Sequence, residues 1–315
     1  MTAAPTLPKI AHGDLTKDLD LTAEELFALL DLAADVKRSP EDYSSALAGK
    51  SIALLFEKPS LRTRMTFELA IQQLGGFALV NEGRIGEREP LKDMARNLDR
   101  WVSAIAARTF LQKTVDGLAL WSKVPVINAL SDVYHPCQAF ADMQTIREHF
   151  GGTLGTLRGV KLAFVGDGNN MANSLMLNAA RLGMDFALAT PGKYEASTEI
   201  VAATQELAAR TGAKFMVTND PAEAARGAHA IYTDVWASMG AENEVAERRT
   251  AFADYQVDDD LFRHAQPEAV FMHCLPAKRG EEVTDTVIES SRSVVFDQAE
   301  NRLHAQKALL LMLLA

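Results

Sequence analysis

The chain has 315 residues, 48% hydrophobic and 23% charged, with a formal net charge of -10. That length suggests two domains and a core large enough to need neither disulfides nor a structural metal. The acidic balance argues against nucleic acid as a partner, because a basic face is the usual footprint, and no apolar run reaches membrane-spanning length.

Residues 1–9 carry neither a leader-like basic and apolar pattern nor a transit-peptide bias, so the expected compartment is the cytoplasm. Cys137 and Cys274 show no metal-ligand or redox spacing and fit a reducing compartment; each reads equally well as a small core group. The first apolar β-rich run, 51–56, predicts a buried strand, and 60–75 predicts the helix that follows it. Short strands are expected at 104–107 and 124–127, then a helix over 137–150. A strand at 161–165 leads to a helix over 170–182, and further strands are expected at 185–189, 230–233 and 269–272. Residues 299–314 read as a terminal helix that returns to the first half.

Strands alternating with helices predict an α/β protein of two domains, each a mostly parallel sheet flanked by helices. Gly151, Gly152, Thr153, Gly155 and Gly159 punctuate the chain most strongly, which places the domains at 1–147 and 148–298, with 299–315 packing back on the first. Ligands of such sheets bind beyond the carboxyl ends of the strands, and the polar clusters of this chain fall there.

Ser60, Leu61, Arg62, Thr63 and Arg64 follow the first strand and open a helix. Ser60 suits the N-cap, the helix start offers N–H groups, and Arg62 and Arg64 offer guanidinium forks, so an oxyanion is the natural ligand. The competing reading makes Ser60 only a cap and both arginines a solvated face. Arg108 stands at another strand end, and His135 with Gln138 opens the helix over 137–150. His135 there suits donation to a carbonyl or phosphate oxygen, or a purely structural role. In the second half, the Gly166, Gly168 and Asn169–Asn170 turn resembles a dinucleotide fingerprint, but Met171 stands where the third glycine belongs. Asp234 offers a carboxylate for an ammonium group, and Cys274 a thiol for a reacting amine. Jointly they describe a pocket for a small amino acid.

Read in order, the segments Ser60–Arg64, His135–Gln138, Asp234–Gly240 and His273–Pro276 resemble the aspartate/ornithine carbamoyltransferase family, on its ornithine branch. The resemblance extends from about Lys9 to the C-terminus. It implies a carbamoyl phosphate domain, an ornithine domain, an active site in the cleft between them, and transfer of a carbamoyl group to the side-chain amine of L-ornithine to give L-citrulline, without metal or organic cofactor. By the same resemblance Ser60, Leu61, Arg62, Thr63, Arg64 and Arg108 take the phosphate. His135, Gln138 and Arg302 meet the carbamoyl group, and backbone carbonyls of Cys274 and Leu275 take its amide, with Leu275–Pro276 a candidate cis bond. Asn170, Asp234, Ser238 and Met239 hold ornithine. A homotrimer, or a multiple of trimers, is implied, with Arg84 reaching the neighbouring subunit's site.

Two positions depart from the pattern. Leu61 stands where ornithine enzymes carry threonine, a place where relatives acting on N-acylated ornithine are bulky and apolar. Arg84 stands where glutamine or histidine is usual, and its charge is expected to offset the hydroxyl lost at Leu61. A carbamoyltransferase for N-acylated ornithine or putrescine, and more remotely an NAD-dependent dehydrogenase, are the rival activities.

Overall fold

The computed structural model describes residues 7–151, 157–237 and 242–315. The expectations placed on Gly152, Thr153, Gly155, Ser238, Met239 and Gly240 lie outside the described residues. The chain divides into two compact units, residues 1–140 with 302–315 and residues 141–301. The first boundary falls at Phe140/Ala141, ahead of the glycine-rich stretch on which the sequence division was placed.

In the first unit, α1 (Ala23–Arg38) begins with a capping box: the Thr22 hydroxyl accepts from the Glu25 N–H while the Glu25 carboxylate accepts from the Thr22 N–H. There follow β1 (Ser51–Phe56), α2 (Leu61–Gln73), β2 (Phe77–Glu82), α3 (Leu91–Leu98), β3 (Ala104–Arg108), α4 (Gln112–Trp121), β4 (Val126–Leu130) and α5 (Pro136–Phe150). The strands form one parallel sheet in the order β2-β1-β3-β4. Ile52, Leu54, Ile105 and Ile127 are fully or almost fully buried, as expected of parallel strands covered on both faces. β4 begins at Val126 rather than at Val124, since Pro125 has no N–H to give a ladder.

In the second unit come β5 (Lys161–Val165), α6 (Asn170–Arg181), β6 (Asp185–Ala189), α7 (Thr198–Thr211), β7 (Phe215–Thr218), α8 (Pro221–Ala225), β8 (Ala230–Thr233), α9 (Val245–Ala251), α10 (Asp259–Phe262), β9 (Val270–His273), α11 (Asp285–Ile288) and α12 (Val295–Leu314). This sheet is also parallel, in the order β7-β6-β5-β8-β9. Val165, Ile231 and Phe271 from its strands pack with Phe252 and Trp236 in one core cluster. Burying each such side chain contributes about 1.5–3 kcal/mol. The unit boundaries fall inside α5 and α12, so each of these helices supplies residues to both units.

Strand order decides where ligands go. In the first sheet the chain reverses direction of growth between β1 and β3, and in the second between β5 and β8. Crevices open at such switch points, outside the carboxyl ends of the strands. Ser60, Asn169 and Asp234 lie in the loops that leave β1, β5 and β8, and Arg108 is the last residue of β3. No helix among the described residues is long and apolar enough to cross a membrane.

Candidate active site

The first switch point gathers positive charge around buried polar groups. Ser60 occupies the N-cap of α2, yet its hydroxyl makes no capping hydrogen bond. Thr63, one turn in, is 2% exposed, and its Oγ1 accepts from Nη2 of Arg302 at 3.0 Å. The other arm of the fork, Nη1, donates to Oε1 of Gln138 at 2.6 Å. Arg302, Gln138 and His135 are all buried. The His135 imidazole is held well below its usual pKa, first by burial and then by Arg302, Arg108 and Arg62. Burial, reinforced by the positive charge of three guanidinium groups, keeps that ring neutral near pH 7. A neutral imidazole donates one hydrogen bond without surrendering charge. Cys137, one turn away, is a packing residue: burial pushes its thiol up to about 12, and its Sγ donates to the Asn128 carbonyl.

Arg64 does not join this group. Its Nε donates to Glu68 at 2.6 Å and its Nη1 pairs with Glu82, which holds the guanidinium on the outer face of α2. Leu61 is 69% exposed at the first position of the helix, so its side chain stands in solvent and away from Thr63 and Arg302.

One contributor escaped the sequence reading. Glu57, directly after β1, accepts from the Ile85 N–H through Oε1 at 3.0 Å and from the Phe110 N–H through Oε2 at 2.6 Å. A single carboxylate thereby ties the loop bearing Arg84 to the loop of Thr109 and Phe110 that follows Arg108 at the end of β3. Arg84 then stacks on the Phe110 ring at 4.3 Å, with the Lys58 ammonium 4.7 Å from the same ring. The only available sequence signal was an acidic residue set between a buried strand and an arginine-rich turn.

The second switch point is built around Asp234, which is 7% exposed. Its Oδ1 accepts from the Val235 N–H at 2.8 Å and from the Cys274 thiol at 3.2 Å, and its Oδ2 accepts from Nδ2 of Asn169 at 3.0 Å. The Asn169 Oδ1 meanwhile caps α6 by accepting from the Met171 and Ala172 N–H groups. Asn169 therefore fixes the carboxylate to the helix start, while Asn170, the residue singled out from sequence, sits buried at the first helical position. Gly168 has a local reason to lack a side chain. A Cβ there would lie 2.3 Å from the Ala196 nitrogen, so its space is filled by this chain's own backbone rather than offered to a pyrophosphate.

Beside it, Asp167 and Arg248 form an ion pair at 2.7 Å, and the same Nη1 donates to the Trp236 carbonyl at 2.8 Å. Burial pushes the Asp167 carboxyl up to about 6, with Arg248 opposing the rise. After β9, Leu275 adopts a left-handed φ of 58° and the Leu275–Pro276 bond is cis.

Among the described residues, Asp234, His273 and Cys274 are the one group with metal-ligand spacing. His273 is poorly suited to that task. Its Nδ1 accepts from the Leu275 N–H at 2.8 Å and its Nε2 lies 3.2 Å from Glu282 Oε1, so both ring nitrogens are already engaged.

The chain matches two family descriptions: aspartate/ornithine carbamoyltransferase, carbamoyl-P binding domain, over residues 14–148, and aspartate/ornithine carbamoyltransferase, Asp/Orn binding domain, over 158–313. The chain belongs to the aspartate/ornithine carbamoyltransferase family.

A curated ornithine carbamoyltransferase of Acidothermus cellulolyticus is 50% identical over 300 residues, covering 94% of this chain and 95% of that protein. The anabolic ornithine carbamoyltransferase of Pyrococcus furiosus is 48% identical over 310 residues, 97% of each chain. The solved Pyrococcus furiosus ornithine carbamoyltransferase superposes with a TM-score of 0.92, covering 97% of this chain and 98% of that one. An acetylornithine transcarbamylase complexed with acetylcitrulline is more distant in sequence, at 33% identity and TM-score 0.86 over 96% of this chain and 99% of that one.

Proposed function

We propose that this chain is an ornithine carbamoyltransferase: it passes the carbamoyl group of carbamoyl phosphate to the side-chain amine of L-ornithine, giving L-citrulline and phosphate. The observation that carries this reading is the presence of two unlike half-sites in one chain, one at the switch point of each sheet. One is cationic, around Thr63, His135 and Arg302; the other is a carboxylate, Asp234, joined to the Cys274 thiol.

Phosphate falls to Ser60, the Leu61 N–H, Arg62, Thr63 and Arg108 at the start of α2, where donors and dipole favour an anion. Arg64, the last residue of the same motif, is assigned to the phosphate as well, since its exposed pairs with Glu68 and Glu82 are weak enough to give way to an anion. His135, Gln138 and Arg302 serve the carbamoyl end, and Cys274 and Leu275 offer backbone carbonyls to its amide. Asn170 and Asp234 hold ornithine, together with Ser238 and Met239. The amine must be neutral to attack, because an ammonium has no lone pair. A carboxylate favours the charged form, so Asp234 orients the substrate rather than deprotonating it. Nitrogen then adds to the carbonyl carbon, and the oxyanion is stabilised by Arg108, His135 and Thr63. The bond from that carbon to the bridging oxygen breaks, so that phosphate leaves with the electron pair and takes up the proton released by the nitrogen. The chemistry calls for no metal or organic cofactor.

Leu61 favours a second reading, an N-acylated ornithine as acceptor, but its side chain stands in solvent. An assay offering L-ornithine, N-acetylornithine, N-succinylornithine, putrescine and aspartate in parallel decides between them. Selectivity for L-ornithine is expected; preference for an acylated acceptor would overturn it.

The Glu57 clasp gives a kinetic prediction. Glu57→Ala strips the acceptor from two backbone donors and frees the Arg84 loop, and each charge-assisted bond is worth about 1.5–3 kcal/mol. The KM for carbamoyl phosphate is expected to rise about tenfold with the ornithine KM nearly unchanged. Arg84→Gln should raise the same constant, and the double variant should add little; full additivity in steady-state kinetics would count against the clasp.

Asp167 gives a pH dependence. With its pKa raised to about 6, its carboxylate is ionised at pH 7 and takes up a proton as pH falls toward 5. The Arg248 pair, which pins the Trp236 carbonyl two residues beyond Asp234, is weakened below that pH. The KM for ornithine should therefore rise as pH drops through about 6. Asp167→Asn should flatten that rise, and superimposable profiles would exclude the pair as its source.

A homotrimer, or a multiple of trimers, is supported by apolar surface on the edge of the first sheet. Phe77 and Leu79 of β2 are 65% and 51% exposed, and Trp101 is 69% exposed. Leu79 and Trp101 line one groove with Met94 and Leu98. Arg84, held beside Phe110, is the residue we assign to a neighbouring subunit's site, and sedimentation reads the oligomer directly. Cys137 and Cys274 remain thiols, which fits a cytoplasmic, reducing location. The anabolic name of the Pyrococcus furiosus relative favours a biosynthetic role in arginine metabolism.

A further inference from the structure

We infer that Glu282 is a positioning residue for the acceptor half-site, acting through His273 on the backbone of Leu275. The inference rests on the proposed role of Asp234 and Cys274. His273 ends β9 and is fully buried, as is Glu282. The ring accepts the Leu275 N–H at Nδ1, 2.8 Å away, so its own proton sits on Nε2 and points at Oε1 of Glu282, 3.2 Å away. The same Oε1 accepts the Lys278 N–H at 2.5 Å, which fixes the carboxylate, and the Glu282 carbonyl accepts from the Val257 N–H at 2.8 Å. On the other side of His273, its N–H donates to Oε1 of Gln298 at 3.0 Å, and Gln298 Nε2 donates to Asp142 and Tyr232. Glu282 thus holds the ring at Nε2 and Gln298 holds the His273 backbone, which leaves the Nδ1 lone pair for Leu275.

That lone pair matters because Leu275 is the only non-glycine residue with positive φ among the described residues. Left-handed backbone is unfavourable for a residue with a Cβ and persists only where its surroundings enforce it. The Leu275 N–H bond to His273 spans the turn that carries Cys274, and the turn sets the Cys274 Sγ 3.2 Å from Asp234 Oδ1. If the carboxylate of Glu282 is removed, the imidazole is free to put its proton on Nδ1, where it faces the Leu275 N–H donor to donor. The turn then loses its tie, and the thiol and carboxylate lose their alignment.

The test compares His273→Asn, His273→Leu and Glu282→Met in the full-length enzyme, by steady-state kinetics in both substrates and by thermal melting. Asparagine can place its Oδ1 near the position of the imidazole Nδ1 and accept the Leu275 N–H without help from Glu282; leucine cannot. His273→Leu and Glu282→Met are expected to lower kcat/KM for ornithine about 100-fold, the scale of a misplaced reacting group, with the carbamoyl phosphate KM changed less than about twofold. His273→Asn should stay within about fivefold of wild type, and adding Glu282→Met to it should cost little more, a non-additive pair. His273→Asn as impaired as His273→Leu, or a folded Glu282→Met with wild-type kinetics, would overturn the inference. Should Glu282→Met fail to fold, the asparagine–leucine comparison still decides, because both variants strip Glu282 of the same partner. A wild-type enzyme that makes no citrulline would sink the reaction instead. Amide exchange at Leu275, slow in His273→Asn and fast in His273→Leu, would then decide the His273 contact by itself.

Discussion

Asp234→Asn is expected to lower kcat/KM for ornithine by about 10³-fold and to leave the KM for carbamoyl phosphate within about twofold, because the proposed role sets a buried carboxylate against a substrate ammonium, a contact worth about 2–5 kcal/mol when removed. The size follows from the arrangement around Asp234. Three donors converge on its two oxygens: the Val235 N–H and the Cys274 thiol on Oδ1, and the Asn169 amide on Oδ2. An asparagine offers only one oxygen, so its amide must face either Asn169 or the thiol and backbone pair. Both the charge and the alignment are lost. Two of the three donors, Asn169 and Cys274, come from other loops, so the thermal transition is expected to fall as well, and melting curves beside the kinetics separate that loss from the loss of activity. A residual activity within tenfold of wild type would remove Asp234 from the acceptor site.

Arg302→Lys is expected to cost about 10²–10³ in kcat with a raised KM for carbamoyl phosphate, the loss typical of a preorganised donor to developing negative charge. Lysine keeps the positive charge, which spares the buried site an uncompensated change, but it cannot reproduce the fork. Arg302 spans Thr63 Oγ1 and Gln138 Oε1 with its two terminal nitrogens, 3.0 and 2.6 Å away. A single ammonium reaches one of these. The KM for ornithine should move little, so a lysine variant impaired equally toward both substrates would point to general unfolding rather than to the carbamoyl phosphate site.

The parts of this fold that sequence makes visible are those where one physical signal dominates. β1, β3, β5, β6 and β8 are continuous apolar runs, because helices cover both faces of a parallel sheet. β2 and β7 were not legible. Both are sheet edges, and their exposure alternates or is partial, so Phe77–Glu82 and Phe215–Thr218 lack the unbroken run that marks a central strand. The same contrast holds at the site. Residues whose chemistry is carried by type and position, such as Arg62, His135, Asp234 and Cys274, stand out in the chain. Glu57 and Glu282 do not, because each acts by accepting hydrogen bonds from groups brought to it only by folding, Ile85 and Phe110 for Glu57 and His273 for Glu282. The Asn169–Asn170 turn stands out without revealing that Asn169 is tied to Asp234. Arg64 shows the reverse case: it shares a motif with Arg62, but Glu68 and Glu82 claim its guanidinium, and no pattern in the motif reveals that. Gly168 likewise reads as part of a nucleotide turn until the Ala196 backbone is seen to fill its side-chain space.

The central claim, carbamoyl transfer to the side-chain nitrogen of ornithine, is tested most directly by isotope connectivity. Carbamoyl phosphate labelled with carbon-13 is incubated with the enzyme and ornithine labelled with nitrogen-15 at the side-chain amine, and the product is examined by NMR. A one-bond carbon–nitrogen coupling in citrulline, formed at the rate of phosphate release, is the predicted result. Phosphate release without that coupling, or coupling only to another acceptor, would contradict the account.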